Sequence, residues 1–147
     1  MEIQDNSLPM HPIQLRAIFV RELHIIAHVP PELASELQVP EYSLQVGNSA
    51  FDAKQKLIGV GVNVKIGEPT PVEGNQTPYY LKAEILGQFE VDETLFPVEK
   101  LNDWASKNAP MILFPYLREQ LYALTLRAGF NPLILPLFQV PTFTLPK

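Results

Sequence analysis

Cysteine is absent from the 147 residues, so the chain has no disulfide framework, no thiol nucleophile and no thiolate metal site. Long apolar runs are missing as well. No stretch approaches the roughly 18 consecutive apolar residues of a membrane-spanning helix, and the acidic, polar opening MEIQDNSLPM lacks the basic and apolar regions of a secretory leader. A soluble, cytoplasmic protein is the expectation. Basic residues are in the minority, 11 Lys and Arg against 16 Asp and Glu, and the net charge of -5 speaks against non-specific nucleic-acid binding. A basic or an apolar partner is easier to accommodate.

Catalytic constellations are also lacking. His24 and His28 point the same way on a strand, but positions four apart on a strand lie roughly 13 Å apart, too far to share one ion even with His11 nearby. Glu22, Glu84 and Glu90 can pair across strands, yet no pocket that would tune a catalytic carboxylate is evident. Ser7, Ser35, Ser43, Ser49 and Ser106 have no nucleophile-elbow context, and Gly59-Val60-Gly61 sits in a strand pattern with no helix following. Arg118 and Glu119 diverge by about 100° on a helix and form no acid and base pair. The Asn75-Gln76-Thr77 sequon has meaning only in a secreted chain. No enzyme activity, cofactor or metal is expected.

What is present is a single domain's worth of apolar residues, 46% of the chain, and 15 prolines, about twice the usual frequency of about 5%. Residues 1–12 read as a flexible lead-in and 13–147 as one domain. Ile13 to Val29 alternates apolar and polar residues as a long first strand, although Ile18, Val20 and Ile26 fall on the polar parity and imply apolar patches there. A crossover or loop from Pro30 to Pro40, with room for a short helical turn at Glu32 to Leu37, precedes a second strand starting at Tyr42, interrupted at Gly47 to Ser49. Lys56 to Lys65 forms a third strand with an aliphatic even face. Gly67 to Pro78 is a turn-rich connection, and Tyr79 to Val91 returns as a fourth strand, with Gly87 marking a bulge. Strands first and helices last predict an α+β fold: a four-stranded antiparallel sheet with two C-terminal helices packed on one face.

The helices are Phe96 to Lys107 and the longer Asn108 to Phe130. The second buries a stripe of Leu117, Leu121 and Leu124, takes Asn108 as N-cap, is expected to kink or restart near Phe114 because of Pro115, and ends in a left-handed turn at Gly129. Beyond it the tail NPLILPLFQVPTFTLPK reads as an extended segment lying on the domain.

Pro110 to Glu119, PMILFPYLRE, resembles the ILFPYxRE signature of the SecB family of export chaperones. The glycine and phenylalanine that close the helix and the apolar Leu133 to Pro136 fit the same pattern, as do Ile13-Gln14 and Arg21-Glu22 in the first strand. The similarity spans Ile13 to Val140. It implies a tetramer built as a dimer of dimers, without catalytic site or cofactor, that holds unfolded preproteins in apolar grooves and passes them to the SecA motor by an acidic sheet surface. By that resemblance the groove residues are Tyr79, Phe89, Phe114, Tyr116, Phe130, Leu133, Leu135 and Phe138, and the SecA-facing acids are Glu22 and Glu84. Ile26 and Lys82 depart from the acidic pattern. The family's second amphipathic helix and acidic tail have no counterpart in VPTFTLPK, a pattern that also fits SecB-like chaperones dedicated to a toxin and antitoxin pair. A non-catalytic adaptor subunit is the reading from outside the chaperones.

Overall fold

The computed structural model describes residues 7–36, 42–71 and 77–138. Four strands, β1 (Ile13–Ala27), β2 (Tyr42–Asn48), β3 (Leu57–Ile66) and β4 (Tyr79–Val91), form one antiparallel sheet in the order β1-β4-β3-β2. Two helices follow, α1 (Leu101–Lys107) and α2 (Ala109–Arg127), and both lie on one face of the sheet. The expected α+β architecture is therefore the observed one. Asn75 and Gln76 of the glycosylation sequon, Leu37 of the proposed helical turn and residues 139–147 lie outside the described residues, while Pro31–Glu36 forms a 3-10 turn.

β3 and β4 carry the alternation visible in their sequence into the burial pattern. Ile58, Val60, Val62, Val64 and Ile66 are buried on one face of β3, and Leu81, Ala83, Ile85, Phe89 and Val91 on the same face of β4. Each fully buried aliphatic or aromatic side chain contributes about 1.5–3 kcal/mol relative to exposure, so this face is the foundation of the fold. Gly87 belongs to it too. A Cβ there would stand 2.8 Å from Leu113 Cδ2 of α2, so the glycine admits the helix to close range and marks no break in β4 itself.

β1 behaves differently from its simple parity. Its register with β4 slips between Leu15 and Ala17 and again between Val20 and Glu22, leaving Arg16 and Arg21 as the extra residues of two β-bulges. The first bulge moves Ile18 and Val20 to the helix-side face, opposite Gly87 and Ile85, and puts Phe19 on the open face opposite Leu86. The second restores the original parity with respect to β4. Of the three residues that broke the alternation, only Ile26 stands on the open face, opposite Tyr80.

The helices are nearly continuous. Asn108 joins them in the right-handed helical region, and its amide donates to Trp104 O at 2.8 Å, so it does not act as a side-chain cap. α2 runs without interruption through Pro115, and the expected restart falls six residues earlier than Phe114, at Asn108. Pro115 and Met111 are both exposed, so solvent can satisfy the carbonyl that a helical proline leaves without its partner.

The C-terminus of α2 matches its sequence signal. Gly129 adopts φ +91°, its amide donates to Leu126 O, and the Phe130 amide donates to Thr125 O, both at 3.0 Å, completing a Schellman motif. Phe130 then folds back into the core. Gly129→Ala is expected to lower the melting temperature by several degrees. The left-handed conformation costs a non-glycine residue about 1–2 kcal/mol, about 2–4 °C per kcal/mol for a chain of this size, and the new Cβ would stand 3.1 Å from Pro31 Cγ. A thermal melt unchanged from the parent would contradict it.

Candidate functional site

Five of the eight residues placed on a groove wall by their resemblance stand in the interior instead. Tyr79, Phe89, Phe114, Phe130 and Leu135 are all less than 5% exposed. They fall into separate groups. Tyr79 meets Phe130 in a tilted arrangement at 4.8 Å between ring centroids, Phe89 meets Trp104 edge-on at 5.1 Å, and Phe114 meets Phe138 at 5.6 Å. Burial also raises the pKa of the Tyr79 phenol above its usual value. Leu133 and Phe138 are half-buried, and Tyr116 alone of the eight is well exposed.

The leucine stripe is likewise interior. Leu117 and Leu121 are fully buried against the sheet and Leu124 packs at the edge of the core, so this stripe is not free for assembly. The opposite side of α2 is apolar as well: Met111, Ile112, Tyr116, Tyr122 and Leu126 are 41–54% exposed. A helix that is apolar on all sides has more to bury than one sheet can cover. The signal was present in the sequence, but the leucine spacing drew attention to one side only.

Residues 131–138 run beside this helix as an extended strap. Leu135 is buried while Ile134 and Leu137 are 70% and 85% exposed. Arg118 of the PYLRE motif holds the strap through its guanidinium, with Nε donating to Leu135 O at 3.0 Å and Nη2 to Pro136 O at 3.5 Å. Thr125 assists. Its hydroxyl donates to Leu121 O and accepts from the Leu133 amide at 2.9 Å, which satisfies a fully buried polar group.

Glu22 and Glu84 lie directly opposite each other on the open face of the sheet. Neither is a free acid. Lys82 approaches Glu22 at 3.0 Å and Arg21 approaches Glu84 at 3.5 Å, while Arg16 pairs with Glu90 at 3.1 Å. Both arginines are bulge residues. The hydrogen bond to Glu22, reinforced by its charge, raises the Lys82 pKa above its ordinary 10.5, so the ammonium stays protonated through physiological pH. Along β1 and β4 three cations thus offset three carboxylates. Next to them a trough of about 750 Å³, lined by Phe19, Leu86, Gly59, Gly61, Asn63 and Gln88 among others, crosses the face towards β2.

The histidines stay apart. His28 Nε2 donates to Glu68 O at 2.7 Å, His24 meets Tyr80 edge-on, and His11 Nδ1 accepts from the Ile13 amide at 2.9 Å. Among the described residues no group of three potential ligands could hold a metal ion, and no helix is long and apolar enough to cross a membrane.

Comparison with known proteins supplies the context for these surfaces. The SecB family model, described as preprotein translocase subunit SecB, matches residues 6–139. Protein-export protein SecB of Azoarcus sp. is 27% identical over 135 residues, covering 89% of this chain and 83% of the relative. That of Dechloromonas aromatica is 25% identical over 133 residues, covering 90% and 83%. Among solved structures, the SecB-like chaperone of Mycobacterium tuberculosis, determined with a ChAD peptide from the HigA1 antitoxin, is similar in fold. Its TM-score is 0.69 at 22% identity, covering 89% of this chain and 94% of that one. With the family model spanning nearly the whole chain and the sheet and helices in the same arrangement, this protein belongs to the SecB family of chaperones.

Proposed function

We propose that the chain is an ATP-independent holdase of the cytoplasm that binds unfolded polypeptides through the exposed apolar side of α2 and the adjoining flank of the helix along which residues 131–138 run. The carrying observation is the exposed apolar side of α2, formed by Met111, Ile112, Tyr116, Tyr122 and Leu126, on a member of a family whose chaperones are not enzymes. Apolar contacts need no sequence code, and tyrosine adds a polar tip that tolerates a wet rim. Of the groove candidates, Tyr116, Leu133 and Phe138 are accessible in the described state. Tyr79, Phe89, Phe114, Phe130 and Leu135 enter the reading only as the wall beneath. A homotetramer, a dimer of dimers, would cover part of the same apolar surface and leave the rest as grooves.

A second reading concerns the partner. The ion pairs on Glu22 and Glu84 weaken the case for an acidic surface that docks the SecA motor, because each carboxylate already has a cation at its side. A chaperone dedicated to one client, such as an antitoxin, uses the apolar surface without that docking step. An adaptor subunit with one fixed partner remains the non-chaperone alternative. The test is aggregation of a chemically denatured protein diluted into buffer without nucleotide. An equimolar amount of the chaperone is expected to suppress most of the light scattering. No suppression for several unrelated clients, together with tight binding of one folded partner, would replace the holdase reading with the adaptor.

A further inference from the structure

Arg118, Thr125 and residues 131–138 form an arrangement that the general holdase reading leaves unexplained. As the chain advances from Leu133 through Leu135 and Pro136 to Phe138, its anchor points on α2 retreat from Thr125 through Arg118 to Phe114. The strap therefore runs antiparallel to the helix. The Phe138 ring stands 5.7 Å from that of Tyr42, on the helix-side face of the edge strand β2. In this position it covers the flank between α2 and the sheet edge, where apolar side chains would otherwise face solvent.

Chemically the strap is what an extended, unfolded client would be. Leu133, Leu135 and Phe138 pack inward while Ile134 and Leu137 point away, and Pro132 and Pro136 have no amide with which to join a ladder. Three side-chain-to-backbone bonds and a few buried side chains hold it, without the paired backbone that secures the strands. Segments so held open at a fraction of the global unfolding free energy. Arg118 forms none of the ion pairs found among the described residues, and its guanidinium is committed to two strap carbonyls.

We propose that residues 131–138 are a built-in occupant of the client surface, latched by Arg118, and that a client binds by displacing them. The proposal rests on the client-holding reading above. If only the unlatched fraction of molecules accepts a client, the apparent dissociation constant is the intrinsic one divided by that fraction. Loosening the latch must then tighten client binding, and pinning the strap must weaken it. A merely structural Arg118 predicts the opposite sign for the first change.

The experiment uses the full chain and a fluorescently labelled, reduced and alkylated polypeptide that cannot refold. Arg118→Ala removes two charge-assisted hydrogen bonds and is expected to bind this client about tenfold more tightly, with faster amide hydrogen exchange over residues 131–138. Because the chain has no cysteine of its own, Tyr42→Cys with Phe138→Cys can be joined by a short bis-maleimide. The cross-linked form is expected to bind at least tenfold more weakly than the same variant before cross-linking, which keeps the test decisive should Arg118→Ala fail to fold. Equal affinity before and after cross-linking, or faster strap exchange without tighter binding, overturns the latch while leaving the holdase reading intact. No client binding by the parent chain overturns both.

Discussion

Phe89→Ala is expected to leave the chain marginally folded or unfolded. The side chain is 1% exposed at the centre of the helix-side face, opposite Leu15 on β1 and Ile58 on β3, with its ring edge-on to Trp104 of α1. Removing a buried phenyl ring costs about 3–5 kcal/mol, including the cavity left behind, against a total stability of about 5–15 kcal/mol for a domain. The cavity cannot close easily. Its lining belongs to strands fixed on both sides by backbone ladders, and to a helix already brought to close range over Gly87. Urea denaturation followed by far-UV circular dichroism measures the loss. A change below about 1.5 kcal/mol, the range of a tolerated hydrophobic exchange, would mean that the ring is not the centre of the core. Phe19→Ala on the open face is the control, since Phe19 is 47% exposed and has little burial to lose.

Tyr116→Asp combined with Leu126→Asp is expected to dissociate the proposed tetramer. Both side chains lie on the exposed side of α2, 43% and 54% accessible, so the isolated fold should keep its stability. At an interface the two carboxylates would be desolvated without partners, and truncating or mismatching a buried charge there costs about 2–5 kcal/mol each. With every 1.4 kcal/mol a factor of ten in affinity, association should weaken by about a thousandfold or more. Light scattering and sedimentation at micromolar concentration report the mass directly. A parent chain that is monomeric under those conditions would defeat the assembly proposal itself, and a variant that stays tetrameric would place the interface elsewhere.

Much of the architecture was legible because β3, β4 and the end of α2 obey strong local rules. Alternation in Leu57–Ile66 and Tyr79–Val91 named the buried face, and Gly129 followed by Phe130 named the helix stop through backbone geometry. The two bulges of β1 were not legible, since an extra residue in a strand carries no composition signal. Their arginines resemble any exposed cation until the register is known. The burial of five of the groove candidates was hidden for a different reason. Resemblance identifies positions that matter in a family, but an aromatic at such a position can either line a surface or support it from below. For Phe89 the decision was already available: it shares the parity of Leu81 and Ile85, and that parity is interior. For Phe114 and Leu135 it required the fold, because the return of residues 131–138 along α2 sets Phe138 against Phe114 and carries Leu135 into the core. The exposed Ile134 and Leu137 follow from the same path.

The bulges at Arg16 and Arg21 carry a consequence for the company this protein keeps. A chaperone of this kind meets chains whose unpaired backbone can add to any open sheet margin, and a 15-residue outer strand such as β1 would be an effective template for fibril growth. Each bulge puts one unpaired residue into that margin, bends it, and sets a guanidinium beside it. The longest run of regular pairing left on β1 is Glu22 to Ala27. A client held as proposed would therefore meet, along β1, an interrupted border beside two guanidinium groups and not a continuous template for strand addition.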